Sequence, residues 1–297
     1  MLAYLNGQYV ARSAAMIPVD DRGFVFGDGV YEVWRVIDGG LFEEDRHLSR
    51  LALGLREISI SAVYVTQPGF LRGVADRLLA ESGLTTGEAT FYVQVTRGAA
   101  PRSHSFPPPG TSPTVYATVN PFMPADDLRT RGARAVTIPD TRWLRCDLKT
   151  LQLLPNVLAK QAALEAGALD ALMIRDGVVT EGSHTNVFGV VKGVLQTHPA
   201  NNLILPGVTR RLVLEIARDI GIATREHPIG AAEIGGLDEL FLAGTTTDIM
   251  PIVAVNGARI GSGTPGALTK QLAAHLRTRL DDFAATRSGA PLTASPA

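Results

Sequence analysis

The chain is poor in the residues that most often betray chemistry. Cys146 is the single cysteine among 297 residues, so neither an intramolecular disulfide nor a cysteine-built metal cluster can form, and no metal is expected. No apolar run approaches the ~20 residues that a membrane-spanning helix needs. There is no basic excess: 28 Lys plus Arg stand against 29 Asp plus Glu, for a net charge of −1, which reads against a nucleic-acid partner. The opening residues 1–8 lack the basic and apolar regions of a secretory signal, so the expected location is the cytoplasm. Lysine is scarce as well. Lys149, Lys160, Lys192 and Lys270 are the full set, and chemistry that needs an amine has only these four candidates.

What is present suits a folded chain of two domains. Hydrophobic residues make up 45% and charged residues 19%, which allows a sizeable core and excludes disorder throughout. Strand-like and helix-like stretches alternate. Asn6-Gly7 predicts a hairpin between residues 3–5 and 8–10, and 29–37 reads as a strand. Helical spacing of Leu48, Leu51, Leu55 and Ile58 predicts a helix over 45–57 with Asp45 as its N-cap. A second helix, 70–82, stops at Gly83. Strands 90–96 and 114–118 flank a long Pro- and Gly-rich loop at 98–112, a length that in a compact domain often has a function. Beyond it, 133–138 reads as a strand, 155–167 and 206–220 as helices, 239–243 and 251–255 as strands, and 264–283 as a last helix. The expected organisation is a mixed α/β chain. It has a smaller domain over 1–120, a linker over 121–132, a larger domain over 133–285 and a disordered tail over 286–297.

The lysines differ in local setting. Lys160 reads as a solvated helix residue, Lys192 as a turn residue and Lys270 as exposed on the last helix. Lys149 lies between a strand and a helix among Trp143, Leu144, Leu148, Leu151, Leu153 and Leu154. Partial desolvation there favours the neutral, nucleophilic amine. The alternative is a surface ion pair with Asp147 or Glu57. Glu181 ends a strand in a cluster of small polar residues; it is either a carboxylate held by donors or a turn glutamate in water. Leu203-Ile-Leu-Pro-Gly-Val-Thr breaks directly into a helix whose free N–H groups and Thr209 hydroxyl suit an anion, and Gly244-Thr-Thr-Thr ends a strand in the same way. Each of these is also ordinary capping when taken alone. Neither a Walker motif nor a strand–GxGxxG–helix unit is present. An activatable lysine, a lone carboxylate and two anion cradles are what pyridoxal 5′-phosphate requires for its aldehyde, ring nitrogen and phosphate.

Ordered motifs turn that requirement into a resemblance. They are Asp21-Arg-Gly-Phe-Val-Phe-Gly-Asp-Gly-Val-Tyr-Glu-Val, Gln94-Val-Thr-Arg-Gly, Pro101-Arg-Ser-His, Trp143-Leu-Arg-Cys-Asp-Leu-Lys, Thr180-Glu-Gly-Ser, Thr197-His-Pro-Ala-Asn-Asn and Gly207-Val-Thr-Arg. From about residue 4 to about residue 283 the chain resembles the D-amino-acid aminotransferases of the fold-type IV pyridoxal-phosphate enzymes. The resemblance implies a two-domain fold with the cofactor between the domains, and ping-pong transfer of an amino group from a D-amino acid such as D-alanine to a 2-oxo acid. It implies Lys149 as the residue that binds the cofactor aldehyde as a Schiff base and carries the proton at Cα. It further implies Glu181 at the ring nitrogen, Arg50, Val208, Thr209 and Thr245 around the phosphate, and Leu205 against the ring. Tyr31 is implied as the active-site tyrosine. Arg102 and His104 are implied as the trap for the substrate carboxylate, contributed across a homodimer. Three features depart from the pattern: Trp34 stands in place of a smaller aliphatic residue, where it would reshape the substrate pocket. Ser183-His184-Thr185 replaces a serine run near the cofactor, and Gly244 replaces a serine at the phosphate. The same cofactor also serves branched-chain and (R)-selective amine transaminases and aminodeoxychorismate lyases. A cofactor-binding protein without turnover is a further alternative, disfavoured by the presence of both Lys149 and Glu181.

Overall fold

A computed structural model describes residues 1–288. Two compact units divide them. The first comprises Met1–Met123, Leu148–Gln152 and residues 283–288; the second comprises Pro124–Asp147 and Leu153–Asp282. The expected spans of 1–120 and 133–285 therefore differ from the units in one telling respect: the segment that carries Lys149 packs with the first unit. The 121–132 stretch is also more than a linker, because it contains a helix of its own.

In the first unit, strands β1 (Leu2–Leu5) and β2 (Gln8–Ala11) form the hairpin marked by Asn6-Gly7. Helix α1 (Arg22–Phe26) follows, then β3 (Gly29–Ile37), β4 (Gly40–Leu41), α2 (Glu44–Glu57), α3 (Phe70–Ser82), β5 (Glu88–Thr96) and β6 (Thr114–Pro121). Among the described residues the strands make one antiparallel sheet in the order β2-β1-β6-β5-β3-β4. Alternation along the strands sends successive side chains to opposite faces. Val30, Trp34, Val36, Phe91, Val93, Val95, Val115, Ala117 and Val119 all enter the core beneath α2 and α3. Tyr31, Tyr92, Gln94 and Tyr116 stand on the other face, with Tyr31 opposite Gln94 and Gln94 opposite Tyr116. Asp45 is not the N-cap of α2: Glu43 holds that position in a left-handed conformation, and Glu44 and Asp45 sit in the first turn, where the helix dipole favours them.

The second unit contains α4 (Asp126–Arg131), β7 (Ala133–Pro139), α5 (Leu154–Glu165), β8 (Asp170–Arg175), β9 (Val178–Gly182), β10 (Asn186–Val191) and β11 (Val194–Thr197). It continues through α6 (Val208–Asp219), β12 (Thr224–Glu226), β13 (Ile229–Gly230), β14 (Glu239–Gly244), β15 (Asp248–Val255), β16 (Ala258–Arg259) and α7 (Ala267–Ser288). The strand order is β12-β11-β10-β14-β15-β7-β8-β9-β13, with β16 beside β15. Asp176-Gly177 and Lys192-Gly193 make hairpin turns, with Asp176 and Lys192 at positive φ. Helix α6 starts later than expected, at Val208, because Gly207 is extended and serves as the N-cap. It buries Leu212, Val213, Ile216 and Ala217. Residues 286–288, expected in the tail, continue α7; the remainder of that tail lies outside the described residues. No helix among the described residues is long and apolar enough to cross a membrane.

Candidate active site

In the first unit the backbone around Lys149 is stitched to the start of β3. Tyr31 N–H donates to the Lys149 carbonyl at 3.0 Å, Leu151 N–H donates to the Gly29 carbonyl at 3.0 Å, and Val30 bridges Thr150. Gly29 is hemmed in by both neighbours, since a Cβ there would lie 2.7 Å from Leu151 Cδ1 and 2.6 Å from the Val95 carbonyl oxygen on β5. The Lys149 amine then lies 3.3 Å from the Tyr31 hydroxyl and 4.3 Å from the centre of its ring. The ion pair with Asp147 is not formed, because Arg145 takes that carboxylate at 3.0 Å. Lys160 also departs from its expected role. Its amine donates to the Leu169 carbonyl, tying α5 to the start of β8.

Below Tyr31, on the core face of β3, Glu32 is fully buried and engaged on both oxygens. Arg50 on α2 reaches it at 2.8 and 2.9 Å, and His47 Nδ1 lies 3.0 Å away. Burial alone would raise Glu32, but Arg50 and His47 outweigh it and hold the carboxyl far below its usual range. Burial also lowers His47. The sequence pointed to Arg50 but not to Glu32, whose signal is a charged residue at a core position of a strand. Trp34 does not shape a pocket beside Tyr31. Three positions along a strand reverse the face, and Trp34 is fully buried against Phe91 and His47 with its Nε1 donating to the Glu44 carbonyl.

The 98–112 loop also belongs to the first unit. Arg102 and His104 are both exposed and both lie on Phe26 of α1, with the Arg102 guanidinium carbon 5.2 Å and the His104 ring 5.6 Å from the centre of the Phe26 ring.

The second unit gathers the other candidates. Glu181, at the end of β9, is buried and contacts Arg142; its Oε2 accepts from Leu205 N–H at 3.0 Å, and the Asn186 amide stands 3.4 Å away. Burial pushes Glu181 up to about 7, against the pull of Arg142 and the Leu205 N–H. Asn186 also donates to the Leu205 carbonyl at 2.8 Å, and a Cβ on Gly207 would lie 2.2 Å from its Oδ1. Neither Arg142 nor Asn186 stands out in the sequence; both announce themselves only as buried partners of Glu181. Val208 and Thr209 occupy the first turn of α6, whose N-cap Gly207 offers no side-chain cap. Thr245 follows β14, which pairs with β10 so that Ala243 lies opposite Asn186.

The Ser183-His184-Thr185 variation has another use than cofactor bonding. Ser183 Oγ and N–H and Thr185 Oγ1 all donate to the buried carboxylate of Asp170, and His184 remains half exposed beside Ser183. At Gly244 an added Cβ would meet Thr247 and Thr185 at 3.4–3.6 Å, ordinary contact, so packing does not demand a glycine.

Comparison with known proteins gives these arrangements a family. The class IV amino-transferase model matches residues 29–255. D-alanine aminotransferase of Staphylococcus epidermidis is 40% identical over 270 residues, covering 91% of this chain and 94% of the relative. That of Bacillus licheniformis is 39% identical over 280 residues, covering 94% and 97%. Branched-chain amino acid aminotransferase of Escherichia coli superposes with a TM-score of 0.86 over 93% of each chain at 24% identity, which establishes the shared fold. The chain belongs to the class IV aminotransferases.

Proposed function

We propose that the protein transfers the amino group of D-alanine and related D-amino acids to 2-oxo acids, using pyridoxal 5′-phosphate. The observation that carries the substrate class is the pair Arg102 and His104, exposed together on Phe26. A guanidinium beside an imidazole suits a carboxylate, which a simple amine lacks. The relatives named D-alanine aminotransferase support the choice among carboxylate substrates.

The side chains fit the cofactor. A buried carboxyl pushed up to about 7 is matched to a ring N–H, an uncapped helix start is matched to a phosphate, and a lysine amine held by a tyrosine is matched to an aldehyde. When bound, pyridoxal phosphate supplies the carbonyl that takes the substrate nitrogen and a ring that withdraws electrons from Cα. In this reading Glu181 holds the ring nitrogen and Leu205 packs on the ring. The N–H groups of Val208 and Thr209, the hydroxyls of Thr209 and Thr245, and Arg50 hold the phosphate. Lys149 anchors the aldehyde and afterwards moves the proton at Cα through its Nζ, which the Tyr31 hydroxyl orients. Arg102 and His104 fix the carboxylate, so one enantiomer alone turns its Cα–H toward Lys149.

The reading includes a homodimer in which the 98–112 loop serves the neighbouring site, and, with a single buried thiol, a cytoplasmic location. Half-reaction spectra test the substrate: bleaching of the cofactor band by D-alanine and not L-alanine is expected, and the reverse preference overturns the assignment. Subunit exchange between Lys149→Ala and Arg102→Ala tests the assembly. Partial recovery of activity is expected, and none returns if the loop serves its own chain.

A further inference from the structure

The stretch 21–28 carries much of the family resemblance, yet none of its side chains enters the proposed chemistry. We propose that Asp21 and Arg22 clasp the 98–112 loop and set the pose of Arg102 and His104, which makes Arg22 a positioning residue for selection of the substrate carboxylate. This rests on the reading of Arg102 and His104 as carboxylate binders.

The clasp has a base and a tip. At the base, the fully buried Asp21 accepts from Gly23 N–H at 2.8 Å, from Thr96 Oγ1 at 3.0 Å and from Thr114 Oγ1 at 2.6 Å. These two threonines flank the loop and face each other across β5 and β6. Arg22 N–H donates to the Gly98 carbonyl, Ala100 N–H donates to the Asp20 carbonyl, and Asp21 bridges Ala99. Gly98, at φ +92°, lets the two ends close, since a Cβ there would lie 2.0 Å from the Ser112 carbonyl oxygen. At the tip, Arg22 Nη1 donates at 2.7 Å to the carbonyl of Ser103, the residue between Arg102 and His104. Arg22 is itself immobilised: its Nε donates to Asp28 at 2.8 Å, and Arg97 holds the same carboxylate at 2.8 and 2.9 Å. Burial would raise Asp28, but Arg97 and Arg22 outweigh it and keep it ionised. Phe26 completes the tip, one ring in contact with Arg22, Arg102 and His104.

A loop this long and without secondary structure would otherwise be ordered anew at each binding event, a cost that weakens affinity. Fixing the carbonyl between the two substrate-facing residues removes much of that cost before substrate arrives. The clasp therefore acts on binding rather than on proton transfer.

The experiment compares Arg22→Ala, Asp28→Asn and Arg102→Ala in the cofactor-loaded enzyme. It reads KM and kcat for D-alanine, competitive inhibition by propionate, and the rate of tryptic cleavage after Arg102 followed by mass spectrometry. Arg22→Ala should raise KM and the propionate inhibition constant roughly tenfold, leave kcat within about twofold and speed cleavage at Arg102, with no further rise in KM when it is combined with Arg102→Ala. If Arg102→Ala raises KM while Arg22→Ala leaves both KM and cleavage at wild-type values, the clasp is overturned and the carboxylate reading stands. If Arg102→Ala itself leaves KM unchanged, the carboxylate reading falls, and the role given to the clasp falls with it. Should Arg22→Ala not fold, Asp28→Asn frees Arg22 with little change of shape; the same pattern there supports the clasp, and wild-type KM and cleavage overturn it.

Discussion

Arg142 divides one guanidinium between two carboxylates, Asp140 and Glu181. Asp140 takes the larger share: Arg142 Nε and Nη2 bond both its oxygens at 2.9 and 2.7 Å, and Thr180 and Arg175 add to it. Asp140 is accordingly held below its usual range, with burial outweighed by Arg142, whereas Glu181 is pushed up to about 7. Arg142, helped by Arg175, keeps the first carboxylate charged, while the second is left poised near neutrality.

That poise has a pH signature in the cofactor-free protein. The folded state holds the Glu181 proton up to about pH 7, whereas an unfolded glutamate releases it near ~4.3. Stabilisation from protonated Glu181 is therefore present at low pH and lost as pH rises through 7. Relative to Glu181→Gln, the wild type should lose melting temperature between pH 5 and pH 8. Parallel curves for the two proteins would contradict the assignment.

Removing Arg142 takes away the pull that lowers Glu181. Arg142→Gln should shift the Glu181 titration further upward and weaken cofactor binding at pH 7 about tenfold, which corresponds to ~1.4 kcal/mol. The affinity should recover toward higher pH, where the carboxyl ionises. Cofactor affinity measured across pH by fluorescence checks this, and a loss independent of pH would count against it.

Lys149 and Tyr31 separate anchoring from orientation. Borohydride reduction should fix the cofactor to Lys149 and to none of Lys160, Lys192 or Lys270, as peptide mapping reads directly. Tyr31→Phe should still be labelled at Lys149, yet lose a few-fold to tenfold in turnover, since a hydrogen bond is worth ~0.5–1.5 kcal/mol. Full activity in Tyr31→Phe would remove its orienting role.

Glu32 makes the opposite pH prediction. Its carboxyl is held far below the usual range, so its stabilisation is present above the unfolded value of ~4.3 and is lost as pH falls below it. Glu32→Ala removes the buried carboxylate that Arg50 and His47 share and should cost about 3–5 kcal/mol at pH 7, a gap that narrows in acid. Denaturant titrations at pH 7 and pH 4 measure both numbers.

Gly244→Ser tests the phosphate side. The contacts that a Cβ would make there are ordinary, so the variant should fold with a melting temperature within a few degrees of wild type. A new hydroxyl beside Thr245 should bind the cofactor a few-fold more tightly. Weaker binding would place position 244 away from the phosphate.

Residue type and spacing singled out Lys149, Glu181 and the two anion cradles as candidates, whereas Arg50, Tyr31, Leu205, Arg102 and His104 entered only through the family resemblance. Lys149 stood out because lysines are few and its neighbours apolar, and the hairpins were marked by Asn6-Gly7, Asp176-Gly177 and Lys192-Gly193. What escaped were buried partners: Glu32 and His47 behind Arg50, Arg142 and Asn186 beside Glu181, Asp170 beneath Ser183 and Thr185. These contacts join residues that a local window treats separately, and burial creates their energetic weight. Trp34 shows the converse. Its size suggested a pocket wall until strand alternation, a rule available from the start, put it on the core face.

The membership of the first unit has a consequence for synthesis. Residues 1–123 emerge first, but Leu148–Gln152 and the end of α7 belong to the same body. Phe283 packs edge-on against Phe42, and a Cβ on Gly40 would lie 2.8 Å from its ring. Residues 1–123 are thus synthesised well before the segment that completes their unit, with a gap at Gly40 until Phe283 arrives. Translation as far as Phe283, rather than translation of residues 1–123 alone, is what allows the unit holding Lys149 to close.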